Sequence, residues 1–149
     1  MSWSAKSGGS FPGHAYRQAW AEAGHPAGQA DIAVAVHGFV AGTTARAHST
    51  YLDFEHRMMA DGLAELGRPA PARAGRSAAF GPGGMVFAGS PDEIADRILH
   101  LHSLLSHTRQ ILQMDVGGLP QREFLHAIEL LGTQVVPQIH AELRKNETA

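Results

Sequence analysis

The sequence predicts an α/β fold in which parallel strands alternate with long helices. The segment 32–40 alternates Val and Ile with Ala, so both of its faces are apolar, which is typical of a strand covered on both sides. A helix signal at Ser90 is followed by another apolar strand at about 109–116 and a Gly-Gly turn. Strands that alternate with helices in this way imply right-handed parallel crossovers.

The size and composition of the chain limit its possible functions. A chain of 149 residues is one ordinary domain, and a closed (β/α)₈ barrel needs about 250 residues. A formal net charge of −2 without a basic stripe argues against nucleic-acid binding. The absence of cysteine excludes disulfides and thiolate sites. The apolar runs are too short to span a bilayer, and no secretory signal opens the chain, so we expect a soluble cytoplasmic protein.

The elements around the first strand have clear start and stop signals. Residues 1–13 are rich in Ser and Gly and are predicted to be a flexible lead-in. Helical spacing predicts a helix over about 14–23 that ends at Gly24. After the strand, Thr43 or Thr44 can cap a helix expected from Ala45 to about Leu66.

The segment 67–84 is dense in Pro, Gly, Ala and Arg and is predicted to be a long loop, with one helical turn around 77–80. Its arginines, Arg68, Arg73 and Arg76, suit a mobile lid over a cofactor phosphate. A solvated connection without a ligand explains the same composition, so both interpretations stay open.

The second half of the chain carries the strongest helix start. After the short extended piece Met85–Gly89, Ser90 is an N-cap with Pro91 at the first helical position. Glu93 lies three residues later and can reach back to complete a capping box.

The last helix is predicted from about Pro120 and is expected to be kinked or restarted at Pro137. We therefore expect one structured unit over 14–145 and a polar tail over 146–149. The predicted buried stripe of the last helix consists of Phe124, Leu125, Ile128, Leu131 and Val135.

Four segments in this order resemble the final part of luciferase-like flavin-dependent monooxygenases. Tyr16–His25 is similar to the helix before the seventh barrel strand of that family, and Val36–Ala41 is similar to the end of that strand. Gly89–Glu93 resembles the start of the helix before the eighth strand, and Met114–Pro120 resembles the end of the eighth strand with its turn. The similarity runs from about residue 16 to 140.

The resemblance implies a partial, truncated TIM barrel of the bacterial-luciferase type, here two parallel strands with flanking helices. It implies a reduced flavin, FMN or the deazaflavin F420, as cofactor, and a small organic molecule as substrate. Because six strands of such a barrel have no counterpart here, it also implies a homo-oligomer or a partner chain that completes the barrel. A non-catalytic interaction or remnant module that associates with a partner or with itself stays open as the alternative.

Active sites of such barrels lie at the carboxyl ends of the strands. A histidine there can exchange a proton near neutral pH or donate to an oxygen of the ligand, but it can also cap the strand or bind a loop. Because the expected strand ends lie at 37–39 and 115–118, we predict His37 as the catalytic residue. The predicted cofactor-binding residues at these ends are Gly38, Phe39, Asp115, Gly117 and Gly118.

The residues after the strand at 109–116 have structural explanations as well. Asp115 could orient a loop or accept from a ligand hydroxyl, or it could accept from backbone N–H groups of the following helix. Gly117 and Gly118 suit a close backbone approach to an anion, and they equally suit a tight turn.

Ten histidines are present, but their spacing does not indicate a metal site. His100 and His102 lie two residues apart and face different directions on a helix. No His-Glu-x-x-His pattern occurs. We therefore expect no metal.

Overall fold

The computed structural model describes residues 12–81 and 83–147. Three strands form one sheet: β1 (Ala33–Val40), β2 (Val86–Gly89) and β3 (Arg109–Gln113). The strand order is β2-β1-β3, so the longest strand is central. The predicted lead-in 1–13 lies almost entirely outside the described residues, as does the end of the predicted tail.

All strand pairs are parallel. The amino-terminal part of β1 pairs with β3 in a register that runs from Ala33↔Arg109 to His37↔Gln113. The carboxyl-terminal part pairs with β2, from His37↔Val86 to Val40↔Gly89. The α/β class and the parallel pairing of the two predicted strands are therefore confirmed.

The sheet has one more strand than the two that the sequence predicts. The segment that forms β2 is expected from the sequence only to be a short extended piece. Four residues give too little alternation to distinguish a strand from a loop, and all four are buried in the structure. The hydrogen-bonded pairing with β1 therefore makes this segment a strand, which its local sequence alone does not indicate.

Helices in the described part of the chain pack on both faces of this sheet. A single 3₁₀ turn at Ala27–Gln29 and a π-helical turn at Leu131–Val135 complete the regular structure. No helix in this part is long and apolar enough to cross a membrane. The helices are α1 (Pro12–Glu22), α2 (Thr44–Glu65), α3 (Arg73–Ala78), α4 (Pro91–Leu105), α5 (Gln121–Leu130) and α6 (Val136–Glu147).

The alternation along β1 divides the core into two layers. Phe39 packs with Tyr51 and Leu52 of α2 on one face of the sheet. Val36 and Val40 pack on the other face against α4 and the segment from α5 to α6. Because successive side chains of a strand point to opposite faces, α2 and α4 lie on opposite sides of the sheet.

The predicted N-caps are present, with one change. The Arg46 N–H donates to Thr43 Oγ1 at 3.2 Å, and the Glu93 N–H donates to Ser90 Oγ at 3.4 Å. Glu93 does not reach back to its own cap: its carboxylate accepts from the Thr44 hydroxyl, and the Ser90 N–H donates to Thr44 Oγ1 at 3.3 Å. The start of α2 is thereby bound to the start of α4.

The segment 67–84 contains α3, slightly before the predicted turn at 77–80, and several side chains hold it in place. Arg73 Nε donates to Asp53 Oδ1 at 2.8 Å on the surface. Arg97 binds the other end of the segment through the carbonyls of Phe80 and Gly84, at 3.1 and 2.6 Å.

The last helix differs from the predicted stripe. Leu125 and Ile128 are 53% and 44% exposed, so the prediction that they are buried is wrong, whereas Val135 is fully buried. The predicted break is a π-helical turn. It ends at Val135, directly before Val136 and two residues before Pro137. Proline has no N–H and clashes with the carbonyl four residues earlier, which accounts for irregular hydrogen bonding just before it.

Candidate active site at the carboxyl edge of the sheet

His37 lies where the two strand pairings of β1 overlap, opposite the last residue of β3. Its Nδ1 is 3.2 Å from Glu55 Oε1, and its side chain is 25% exposed. One side of the His37 ring therefore contacts α2, and another part of the ring remains accessible to solvent. The structure gives His37 a carboxylate partner that the sequence analysis did not identify.

Glu55 is a fully buried carboxylate on α2. Arg76 of α3 binds it with two nitrogens: Nε donates to Oε2 at 2.9 Å, and Nη2 contacts Oε1. A bidentate guanidinium of this kind supplies both the charge and the hydrogen bonds that a buried carboxylate needs. Arg76, proposed as part of a lid, thus fixes the loop segment to the site.

Tyr51, one helical turn before Glu55, connects α2 to β1 and β3. Its hydroxyl donates to the Gln113 carbonyl at 2.9 Å, and its ring stacks on Phe39 with 5.2 Å between ring centroids. Burial raises the pKa of Tyr51 well above its ordinary value, and the charges of Glu55 and Asp115 raise it further. The hydroxyl therefore stays protonated and acts as a donor.

Gly38 and Phe39 serve the packing of the chain. A Cβ at Gly38 would lie 2.7 Å from Leu112 Cδ2 and 3.1 Å from the Phe87 carbonyl oxygen. Phe39 is 1% exposed, under Tyr51. Contact between Phe39 and a cofactor would require α2 to move, so cofactor binding by these two residues stays a prediction.

Asp115 and the glycine pair form an exposed turn after β3. Asp115 Oδ1 accepts from the Gly117 N–H at 2.9 Å, inside the turn and before the following helix α5 begins. Gly117 and Gly118 have φ values of +82° and +78°, in the left-handed region that favours glycine. The Phe54 ring and the Arg57 guanidinium of α2 lie 3.6 and 3.9 Å from the position of a Cβ on Gly118.

The helix α2 therefore joins the two halves of the predicted site. One of its turns contacts His37 through Glu55, and Phe54 and Arg57 of the same stretch lie beside Gly118 of the turn after β3. The sequence analysis did not identify Tyr51 or Glu55 as site residues, although their four-residue spacing on a predicted helix places them on one face. The signal that could have identified Glu55 was the presence of a glutamate among the apolar residues of that face.

An open cleft of about 690 Å³ lies between the loop that follows β1 and helix α5. Ala41, Gly42 and Thr43 line one side of it, and α5 lines the other. Arg46 crosses it at one point, with Nη2 2.9 Å from Glu123 Oε1. None of the predicted site residues lines this cleft. Among the residues that the structure describes, no group of three or more His, Asp or Glu side chains could hold a metal ion.

These features define an α/β protein whose candidate polar residues gather where β3 ends beside the middle of β1. His37 lies three residues before the end of β1 and not at the strand end where the sequence places it. The family model for luciferase-like monooxygenases matches residues 9–108, and the chain belongs to that family. The match includes His37, Gly38 and Phe39 and ends before β3. Asp115, Gly117 and Gly118 lie beyond it.

A search of solved structures found similarity to the crystal structure of apo-MsnO8. The sequence identity is 19% and the TM-score is 0.45, and the match covers 68% of this chain and 33% of that one. This chain thus corresponds to about a third of the MsnO8 chain. No curated protein matches.

Proposed function

We propose that this chain is part of a flavin-dependent monooxygenase or oxidoreductase and presents the carboxyl end of β3, with His37 of the neighbouring strand β1, to a reduced flavin. The observation that supports this most directly is the register of β1 and β3. Because His37 pairs with Gln113, the last residue of β3, the histidine lies beside the point where β3 ends and the Asp115–Gly118 turn follows. Membership of the luciferase-like family supplies the class of chemistry. We extend the proposal to FMN or F420 as the flavin and to a cytoplasmic location.

The residues at this edge fit part of such a cofactor. A Cβ at Gly117 would meet no atom within 4 Å, so the backbone there is open. Phe54 and Arg57 lie beside Gly118 and offer an aromatic face and a cation. These groups suit a flat ring system that carries a phosphate.

The flavin, when bound, would supply the redox chemistry, which none of these side chains can perform. His37 would hold or receive a proton on its accessible side, close to the open turn. Tyr51 would keep α2 against β3 so that Phe54 and Arg57 stay beside Gly118. The glycine pair would let the ligand approach the backbone.

We also propose that another copy or a partner chain supplies the strands needed to complete a barrel. On the face of the sheet that carries His37, α2 covers only the carboxyl-terminal part. Ala33 and Ala35 of β1 are exposed there, and their neighbour Ile111 on β3 is 44% exposed. A bare apolar face of this kind favours association.

A flavin titration combined with light scattering tests the proposal. Anaerobic titration of the purified chain with reduced FMN and with reduced F420 should show saturable binding to an oligomer. Gly118→Ala should weaken binding about ten-fold, because the new methyl group would occupy the space beside the backbone that the ligand is proposed to approach. Gly24→Ala is the matched control, since Gly24 has φ +79° and open space around it but lies far along the chain from the turn.

Absence of saturable flavin binding in every oligomeric state would contradict the proposal. Equal effects of the two glycine substitutions would also contradict it, because both variants carry the same backbone strain and only Gly118 lies at the proposed site.

A non-catalytic interaction module is the alternative candidate. It is favoured by exposed apolar side chains: Ile111 on β3, and Leu125 and Ile128 on α5. An exposed sheet edge or face is a template for association. In that case the chain would associate without binding flavin.

Substitution separates the two candidates. Ile111→Lys should abolish association measured by light scattering, while Leu66→Lys, at a position that is 71% exposed, should leave it intact. A monomer at high concentration would contradict both the module and the completed barrel.

A further inference from the structure

The buried carboxylate of Glu55 has two partners that differ in kind. Arg76 carries a permanent charge and takes both carboxylate oxygens. The Arg76–Glu55 pair is thus already neutral without a charge on His37. The remaining interaction, with His37 Nδ1 at 3.2 Å, requires only a hydrogen-bond donor.

This geometry determines which ring nitrogen of His37 carries the hydrogen. An ionised carboxylate only accepts hydrogen bonds, so the nitrogen that faces it must be the donor. In a neutral imidazole the other nitrogen then has a free lone pair. His37 Nε2 makes no hydrogen bond to the described residues and is not among their buried, unsatisfied atoms. It is accessible to a ligand.

We propose that Glu55, anchored by Arg76, is a positioning residue that holds His37 in the Nδ1–H tautomer, with Nε2 free to accept from an N–H or O–H group of a ligand at the carboxyl edge of the sheet. The identity of that ligand rests on the function proposed above. The tautomer itself does not depend on it, and it can be measured in the absence of flavin.

The position of Arg76 explains why a short helix lies in the middle of a Gly- and Pro-rich segment. α3 carries two arginines that bind acids of α2, and these differ in burial. The side chains of Arg76 and Glu55 are 18% and 0% exposed, whereas those of Arg73 and Asp53 are 60% and 59% exposed. Solvent-exposed pairs such as Arg73–Asp53 contribute little. α3 therefore acts mainly as a support that keeps the Glu55 carboxylate directed at His37.

Imidazole nitrogen signals in long-range ¹H–¹⁵N NMR spectra distinguish the two tautomers. The spectrum is recorded on the full chain without flavin at about pH 8, above the ordinary range of histidine protonation. His37→Gln assigns the signals by their loss. In the wild type we expect Nδ1 to be the protonated nitrogen. Glu55→Gln should keep this pattern, because an amide oxygen still accepts, and Glu55→Leu should lose it. Arg73→Gln is the matched control and should leave the pattern unchanged.

A wild-type His37 protonated at Nε2, or a pattern that survives Glu55→Leu, would overturn the assignment. If Glu55→Leu does not fold, the wild-type spectrum decides, because it needs no substitution at position 55. A wild-type chain that has the Nδ1–H tautomer but binds no flavin would contradict the function proposed above and leave the positioning role of Glu55 standing.

Discussion

Tyr51 and Gln113 connect the helix over the sheet to the end of the edge strand: the Tyr51 hydroxyl donates to the Gln113 carbonyl at 2.9 Å. The contact joins residues 62 positions apart in the chain. It fixes α2 at the point where β3 ends and the Asp115–Gly118 turn begins. This hydrogen bond therefore adds to the β1–β3 pairing in fixing the relative position of the two halves of the proposed site.

Tyr51→Phe removes that bond and keeps the ring stacked on Phe39. We expect a loss of about 1–2 kcal/mol in the free energy of unfolding, because the Gln113 carbonyl is left without its partner. Urea unfolding measures it. Tyr16→Phe, at a position that is 39% exposed, is the control and should change stability by less than about 0.5 kcal/mol. Equal effects would contradict the role given to Tyr51.

Gly38→Ala should destabilise the sheet. The new methyl group would lie 2.7 Å from the Leu112 side chain, which can move, and 3.1 Å from the Phe87 carbonyl, which is backbone. We expect a cost of about 1–3 kcal/mol from overpacking, measured by thermal or urea unfolding. Gly42→Ala, just after the same strand, meets no atom within 4 Å and should be nearly neutral. A neutral Gly38→Ala would show that the strand can separate from its neighbours at little cost.

Arg97 holds the end of the 67–84 segment. It donates to the carbonyls of Phe80 and Gly84, and its guanidinium lies 4.4 Å from the centroid of the Phe87 ring. Arg97→Lys replaces a forked donor by a point charge, so we expect a loss of about 1–3 kcal/mol and faster proteolysis around residues 79–85. Arg122→Lys, with a side chain that is 91% exposed, is the control. Unchanged cleavage in the Arg97 variant would contradict this anchor.

His107, at the turn into β3, should make stability depend on pH. It is 4% exposed, and its Nδ1 is buried without a hydrogen-bond partner. Burial lowers the pKa of His107, His102 lowers it further, and the nearby Gln110 side chain opposes the shift. The folded state therefore resists protonation more than the unfolded state does.

The direction of the pH effect follows from that difference. The stabilisation is fully present above the unfolded pKa of about 6.5 and is lost as the pH falls below it towards the lower folded value. Urea unfolding between about pH 7.5 and pH 5 should show this loss in the wild type and a smaller loss in His107→Gln. His126→Gln, on the surface, should retain the wild-type slope. Parallel slopes for the wild type and His107→Gln would contradict the prediction.

The features that local chemistry determines were predictable from the sequence. The Thr43 and Ser90 caps and the central strand depend on residues within a few positions of one another, and the structure has them. The parallel partnership of the strands also followed from the alternation of strands and helices.

Contacts between distant segments were not predictable in this way. The pairing of Glu55 with Arg76 depends on how α3 folds back onto α2, and no local pattern specifies that. The same holds for Glu93, which bonds to Thr44 rather than to its own cap. Leu125 and Ile128 fit the helical period of a buried stripe, yet nothing in the described part of the chain covers them.

The π-helical turn between α5 and α6 sets the direction of everything after it. An α-helix advances about 100° per residue, so one additional residue in a turn rotates the following side chains by that amount. Because of this rotation, Val135 and Ile139 pack in the same core layer as α4. Removal of a single residue from 131–135 would therefore turn the apolar side of the last helix away from the sheet, whereas an exchange of side chains there would not.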